Sequence, residues 1–156
     1  MKKLLLLTAI LAVSFSQNIF AQDTTKANAL LSHYYALKDA LVTGSSDQAA
    51  SHAQALQKAV GAIDAKAVSE NDIKALVKDA GKISETSDLK KQREYFAGLS
   101  TNMATLAKTM KLSDQPIYIA YCPMKKASWL TSEKAIKNPY YGSSMLTCGE
   151  ITQTIQ

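Results

Sequence analysis

Between residues 24 and 111, apolar side chains recur every three or four positions, which is the spacing that lines one face of an α-helix. Four such stretches are separated by short polar or glycine-containing breaks. Their apolar positions are, in chain order, Leu30, Tyr34, Leu37 and Leu41; Ala49, Ala53, Leu56, Val60 and Ile63; Ile73, Leu76, Val77 and Ala80; and Phe96, Leu99, Met103, Leu106 and Met110. The pattern predicts four amphipathic helices.

The breaks between these stretches carry residues typical of helix boundaries. Ser45, with Gln48 three residues later, resembles a capping box at the start of the second helix. The third helix is predicted to open at Ser69 and to break at Gly81, and the fourth to begin near residues 86–88. Because short connections favour antiparallel neighbours, we expect an all-α fold in the form of an up-and-down four-helix bundle.

The composition changes after residue 111, where all three prolines and both cysteines of the chain are found. The stretch Ile117–Cys122 is β-prone, and Pro123 prevents a regular helix from running through Cys122. A further turn is expected at residues 138–142, where an Asn-Pro pair is followed by Tyr-Gly. We therefore expect an irregular C-terminal cap on the bundle, holding a Cys-Pro-Met turn.

The N-terminus has the features of a secretory signal peptide. Lys2 and Lys3 precede an apolar run over residues 4–13, and Ala21 is a small residue suited to the position before a cleavage site. The alternative is an uncleaved membrane anchor, for which the apolar run is short. We expect cleavage after Ala21, a periplasmic location and no membrane insertion of the remaining chain.

These features together give the expected organisation of the chain. Residues 1–21 form the signal peptide, and residues 22–156 form a single helical domain. Within that domain, the bundle occupies residues 22–111 and the cap residues 112–156. This length is enough for one modest hydrophobic core.

Charge and motifs exclude several function classes. The net charge of +5 falls to +3 without Lys2 and Lys3, and the charges are mixed in sign, so nucleic-acid binding is not expected. The sequence Gly142-Ser143-Ser144-Met145 is not a nucleophile elbow, and no phosphate-cradling glycine-rich loop occurs. We therefore expect a protein that is not an enzyme.

The cap concentrates sulfur in two pairs, Cys122-x-Met124 and Met145-x-x-Cys148. Thiolates and thioethers are soft ligands that favour Cu(I). If the intervening turn brings the pairs together, Cys122, Met124, Met145 and Cys148 form a candidate copper or silver site, with Trp129 placed to cover a bound monovalent ion through its ring face. This predicts a periplasmic soft-metal-binding protein.

Other interpretations of the cap remain open. In an oxidising compartment Cys122 and Cys148 could instead form a disulfide, which would make the domain a stapled interaction module of the cell envelope, and the two states could interconvert. Zinc fits less well, because the two histidines, at positions 33 and 52, are far from the cysteines in sequence. A third interpretation is a small-ligand site built from the aromatic side chains of the cap, Tyr118, Tyr121, Trp129 and Tyr140.

Several of these segments resemble an exported bacterial family of unknown function, of the DUF3347 type. The resemblance rests on Tyr121-Cys122-Pro123-Met124, Trp129-Leu130, Asn138-Pro139-Tyr140-Tyr141-Gly142, Met145, Cys148-Gly149, Gln92-Arg93, Phe96, and the Tyr34, Leu37, Lys38, Ala40 and Leu41 positions. It implies a helical bundle, a link to copper or silver tolerance, and a heavy-metal efflux pump component as partner, but no catalytic residues. One departure is Lys125–Ser128, where smaller residues with a glycine are expected.

Overall fold

The computed structural model describes residues 17–63 and 68–156, with side chains from residue 26 onward. In chain order its elements are α1 (Gln17–Thr43), α2 (Ser46–Gly61), α3 (Glu70–Ser84), α4 (Leu89–Thr109), β1 (Ile117–Cys122), β2 (Ala127–Thr131), a 3₁₀ turn (Gly142–Met145) and β3 (Glu150–Ile155). Most of the predicted signal peptide lies outside the described residues, and cleavage after Ala21 would fall within α1.

The four predicted helices are present, and each packs mainly against the next one in the chain. The third and fourth begin where the sequence predicts. The Ser69 hydroxyl accepts the Asp72 N–H at 3.2 Å, and the Asp88 carboxylate accepts the N–H of Lys90 at 2.9 Å. Such side-chain caps satisfy backbone donors that the first helical turn leaves free. Ser45 is the N-cap of α2 as predicted, but its side chain makes no capping hydrogen bond, so the capping-box prediction is wrong.

The prediction of a helix break at Gly81 is also wrong, because α3 continues through it to Ser84. Gly81 is buried at the contact between α2 and α3. A Cβ atom there would lie 3.0 Å from the side-chain nitrogen of Gln57. Because glycine has no side chain, α2 and α3 can approach each other closely at this position. The glycine therefore serves helix packing here and does not end the helix.

The all-α fold class is contradicted, since the cap contains a three-stranded antiparallel sheet with the order β2-β1-β3. Tyr118 pairs with Thr131 of β2 and with Thr154 of β3. The pairing of β1 with β3 contains an irregularity between Ile119 and Ala120. β2 packs against α4, so the sheet covers one side of the helices. The protein is a mixed α+β domain, and its cap is regular rather than irregular.

Tyr34 joins the helices to the sheet. Its ring stacks on Phe96 of α4 with centroids 5.4 Å apart, and its hydroxyl lies 2.7 Å from the Ser100 hydroxyl. The same oxygen accepts the backbone N–H of Leu130 in β2 at 3.0 Å. Burial raises the pKa of Tyr34 well above its ordinary value, so the side chain stays neutral. One phenol thus fixes α1, α4 and β2 relative to one another.

Among the helices of the described residues, none is both long enough and apolar enough to cross a membrane.

Candidate functional site

The two cysteines meet at one end of the sheet. Cys122 is the last residue of β1, and Cys148 lies two residues before β3 begins. Because Tyr121 pairs with Glu150 in the antiparallel register, the residues just beyond this pair also lie side by side. The two Sγ atoms are 3.7 Å apart, and both cysteines are free thiols. The sheet, which the sequence did not predict, therefore brings the thiols together.

The turn after β1 surrounds the Cys122 sulfur with hydrogen-bond donors. The turn closes when the Lys126 N–H donates to the Cys122 carbonyl at 2.8 Å. Burial raises the pKa of the Cys122 thiol, but hydrogen bonds from the backbone of Lys125, the side chain of Asn138, the thiol of Cys148 and the backbone of Met124 lower it. The net pKa lies below the ordinary value because these donors stabilise the thiolate.

Cys148 has the opposite tendency. Burial, the hydrogen bond to Cys122 and the negative charge that develops on Cys122 all raise the pKa of the Cys148 thiol. The backbone of Met124 lowers this pKa, but by less than the other three causes raise it. The two thiols therefore titrate as a coupled pair, in which the surroundings stabilise the Cys122 thiolate more than that of Cys148. The pair combines a fully buried sulfur at position 122 with a partly exposed one at position 148.

The two methionines of the predicted site approach the thiols through their backbones. The Met124 backbone lowers the pKa of both thiols, while Met124 is 64% exposed. The Met145 carbonyl accepts the Cys148 N–H at 3.1 Å, and the Met145 side chain is half-buried. The described residues contain no cluster of three or more His, Cys, Asp or Glu side chains suited to a metal. Of the four predicted ligand groups, the structure brings the two thiols into contact with each other.

Trp129 is part of the core of the cap rather than a lid over an ion. The side chain is 1% exposed, and its ring meets Tyr140 edge-on with centroids 5.9 Å apart. The Tyr140 hydroxyl donates to the Ser128 carbonyl at 2.5 Å. Both rings are thus committed to packing, which leaves only the half-buried Tyr118 and Tyr121 of the aromatic set proposed as a small-ligand site.

Asn138 organises the site, and the sequence interpretation treated it only as a turn residue. It is fully buried, and its side-chain oxygen accepts the N–H groups of Tyr140 and Tyr141 at 2.8 and 3.3 Å. Its side-chain nitrogen donates to the Cys148 carbonyl at 2.7 Å. The same side chain lowers the pKa of the Cys122 thiol. The sequence signal that could have revealed this role is an Asn at the start of a predicted turn. In an Asx-type turn, the side-chain oxygen of such an Asn accepts N–H groups two or three residues later.

Arg93 of α4 is hydrogen-bonded to the end of α1 at a point where the 3₁₀ turn after Asn138 approaches closely. The guanidinium donates to the Leu41 carbonyl at 2.7 Å, near the C-terminal end of α1. Gly142 has φ +56°, and a Cβ atom there would lie 2.8 Å from the Val42 carbonyl oxygen and still closer to the guanidinium. Only glycine fits this approach. Burial lowers the pKa of Arg93, although not enough to discharge it at neutral pH. The Arg93 position therefore has a structural role.

At residues 125–128 the chain lacks the glycine that the family resemblance leads us to expect, and this affects the backbone conformation of Lys126. This residue has φ +56°, in the left-handed region that glycine favours. We expect Lys126→Gly to increase the free energy of unfolding by about 0.5–1 kcal/mol and the melting temperature by roughly 2–4 °C. Thermal denaturation checks this. Lys125→Gly, next to it, should instead lower stability, because Lys125 lacks the positive φ that glycine would relieve; equal effects of the two substitutions would contradict the argument.

Comparison with known families gives one match. The model of a family described as "Protein of unknown function (DUF3347)" matches residues 30–115. The matched region contains α2, α3, α4 and residues 30–43 of α1, and it ends two residues before β1. The three strands and both cysteines lie outside it. No curated protein and no solved structure matches the chain.

Proposed function

The chain belongs to the family of unknown function DUF3347. We propose that it binds a soft monovalent metal ion, Cu(I) or Ag(I), through the thiolates of Cys122 and Cys148. The observation that carries the proposal is the 3.7 Å separation of the two sulfurs. Two thiolates on a three-coordinate ion are about 4.0 Å apart when each bond is about 2.3 Å, the length of a zinc–thiolate bond. The pair therefore needs little movement to share an ion.

The surroundings of Cys122 support this proposal. The backbone of Met124 and Lys125 lowers the pKa of the Cys122 thiol, the sulfur that a metal would use. Backbone donors stabilise a thiolate and fix its direction, as second-shell groups do around bound metals. Soft sulfur donors favour Cu(I) and Ag(I) over harder ions. Met124 and Met145, which follow and precede the two cysteines along the chain, are the candidates for a third ligand.

The test is an anaerobic titration of the reduced protein with Cu(I) in competition with a chromogenic chelator. Cys122→Ser and Cys148→Ser should each weaken binding on the order of a hundredfold or more, because each removes a primary ligand. Met124→Leu and Met145→Leu report whether a thioether completes the site. Met103→Leu is the matched control, since Met103 is fully buried on α4 and should leave affinity unchanged.

Binding should also depend on pH in two steps. A metal displaces the protons of both thiols, so log affinity should rise with a slope of two at low pH. The slope should fall to one above the lowered pKa of Cys122 and to zero above the raised pKa of Cys148. A reduced protein that fails to compete for Cu(I) at any pH, or a Cys122→Ser variant that binds as well as the native chain, would refute the proposal.

The same separation favours a second candidate, a disulfide-stapled interaction module. A disulfide needs the sulfurs at about 2.0 Å, roughly 1.7 Å closer than they are here. The bond would close a loop between residues 26 apart and stabilise the fold by about 3.5 kcal/mol on the chain-entropy model. Trapping the thiols by rapid alkylation of cells, followed by mass measurement, distinguishes the two: two alkylated thiols support the metal site, and none supports the staple.

We further propose that residues 1–21 are removed during export and that the protein acts in the periplasm. There it would be a carrier that passes its ion to a heavy-metal efflux component. N-terminal sequencing of the protein recovered from the periplasm tests the location, and a start at Gln22 is expected. Loss of metal tolerance on deletion of the gene, restored by the native chain but not by Cys122→Ser, would support the carrier role.

A further inference from the structure

A cavity of about 530 Å³ lies where the start of α4 meets the cap. Its wall is mainly apolar, and a cavity of this size is typical of sites for small organic molecules. The α4 side of the wall consists of Leu89, Lys90, Arg93 and Glu94, and the cap side consists of Lys125, Tyr140 and Tyr141. Neither cysteine is part of the wall, so an occupant would be distinct from the metal ion of the proposed function.

The charged residues of this wall are mostly positive. Lys90, Arg93 and Lys125 supply three cations, and Glu94 supplies one carboxylate. Within the part of the chain that the structure describes, no ion pair involves any of these four residues. Lys90 and Glu94 are exposed, whereas Arg93 and Lys125 are half-buried. The wall therefore keeps an excess of positive charge, part of it shielded from water, and such a charge attracts anions.

The Arg93 guanidinium gives the clearest indication of an anionic ligand. One of its terminal nitrogens donates to the Leu41 carbonyl, which is a dipole and leaves the net charge of the side chain uncompensated. The Arg93 Nε atom is buried and has no hydrogen-bond partner among the described residues. A cation that is partly removed from water is costly unless an anion lies near it. An anion in the cavity would supply that compensating charge.

The apolar part of the wall decides which class of anion fits. Inorganic phosphate would interact with the cations, but it would leave the apolar surface of the cavity in contact with water. An anion with an apolar body would cover that surface as well, and burial of apolar area stabilises a complex. The combination of charge and apolar surface therefore favours an organic acid over an inorganic anion.

From the uncompensated charge and the apolar wall we propose that this cavity binds a small organic carboxylate. The carboxylate group faces Arg93 and Lys125, and the aromatic or aliphatic body packs against Leu89 and Tyr141. Because the occupant contacts both α4 and the cap, it stabilises the folded chain relative to the unfolded one. The site uses neither thiol, so its test is separate from that of the metal site.

The experiment is isothermal titration calorimetry of the purified protein with 2-naphthoate, an aromatic carboxylate, in about 0.15 M salt with reductant and chelator. We expect one site with a dissociation constant on the order of 100 µM. The neutral analogue 2-naphthamide and inorganic phosphate should each bind about tenfold more weakly or less, since the first lacks the charge and the second lacks the apolar body. At roughly 1 mM, 2-naphthoate should raise the melting temperature by about 3–6 °C.

Variants of the wall test the roles of its charges. Lys125→Gln should weaken 2-naphthoate binding by about fivefold, because it removes a half-buried ammonium group. Glu94→Gln should instead tighten binding by roughly twofold, because it removes the carboxylate of the wall. Lys126→Gln is the matched control, since Lys126 is exposed, adjacent in sequence and not part of the wall. Arg93 is kept in all three variants, because its hydrogen bond to Leu41 supports the fold.

Backbone amide chemical shifts locate the site, and 2-naphthoate should change them most in residues 89–94 and 140–141. Cys122→Ser, which removes a proposed metal ligand, should bind 2-naphthoate with native affinity. A native protein that shows no saturable binding up to about 5 mM would overturn the proposal. So would shift changes confined to another surface, equal affinities for 2-naphthoate and 2-naphthamide or phosphate, or a Lys125→Gln variant that binds as tightly as Lys126→Gln.

Discussion

Asn138→Ala is expected to lower the free energy of unfolding by about 3–5 kcal/mol and to raise the pKa of the Cys122 thiol. The stability loss follows because alanine leaves three backbone groups without partners, namely the buried N–H group of Tyr140 and the partly buried N–H group of Tyr141 and carbonyl of Cys148. Each such group costs about 1–3 kcal/mol. The pKa rise follows because the side chain no longer hydrogen-bonds to the thiolate. Urea denaturation measures the first effect, and the pH dependence of thiol alkylation measures the second.

Two further substitutions make this result specific. Asn138→Asp keeps the oxygen that accepts both N–H groups, but it loses the donor to Cys148 and adds a negative charge next to Cys122. It should therefore cost less stability than alanine while raising the Cys122 pKa further. Asn71→Ala, at an exposed position in α3, should change neither quantity appreciably. If Asn138→Ala unfolds no more easily than Asn71→Ala, the organising role of Asn138 is wrong.

The helices could be predicted from the sequence because their signal is local. Leu37, Leu56, Leu76 and Leu99, one from each predicted apolar stripe, are fully buried in the structure. The caps at Ser69 and Asp88 depend only on residues two or three positions away. An amphipathic helix carries its own pattern of burial, so periodicity alone identifies it.

The sheet could be predicted only in part, because strand pairing depends on residues that are distant in sequence. Ile117–Cys122 is rich in β-branched and aromatic residues and was identified as β-prone. β2 ends in three consecutive buried residues instead of alternating, since it packs against α4. β3 has no buried residue, so its alternation is weak. Neither gives the period of two by which strands are recognised.

The same dependence on distant residues explains the outcome at the candidate site. The sequence showed two cysteines in the cap, but a separation of 26 residues permits any distance between the sulfurs until the register of β1 and β3 is known. The methionine positions suggested ligands by proximity along the chain. In the structure the Met124 backbone lowers the pKa of both thiols, while the Met124 residue itself is largely exposed to solvent.

Gly149→Ala is expected to be as damaging as the loss of Asn138, and it acts on the other side of Cys148. Gly149 has φ +146°, outside the conformations that side chains ordinarily permit. A Cβ atom would lie 2.8 Å from the Trp129 ring and 2.9 Å from the Tyr121 carbonyl oxygen. Backbone strain and overpacking each cost about 1–3 kcal/mol, so a total loss of about 3–5 kcal/mol is expected in urea denaturation.

The backbone at position 149 also decides where the Cys148 sulfur lies, so the substitution should separate the thiols. The rate at which a mild oxidant closes the Cys122–Cys148 disulfide should fall in the alanine variant, measured under conditions where it is still folded. Gly61→Ala is the matched control: no atom lies within 4 Å of a Cβ there, and alanine suits a helix, so stability should stay the same or rise by up to about 1 kcal/mol. Equal disulfide-formation rates in the Gly149 and Gly61 variants would show that the thiol geometry does not depend on this glycine. A slower rate in the Gly149 variant alone would show that the close approach of Gly149 to Trp129 holds Cys148 beside Cys122.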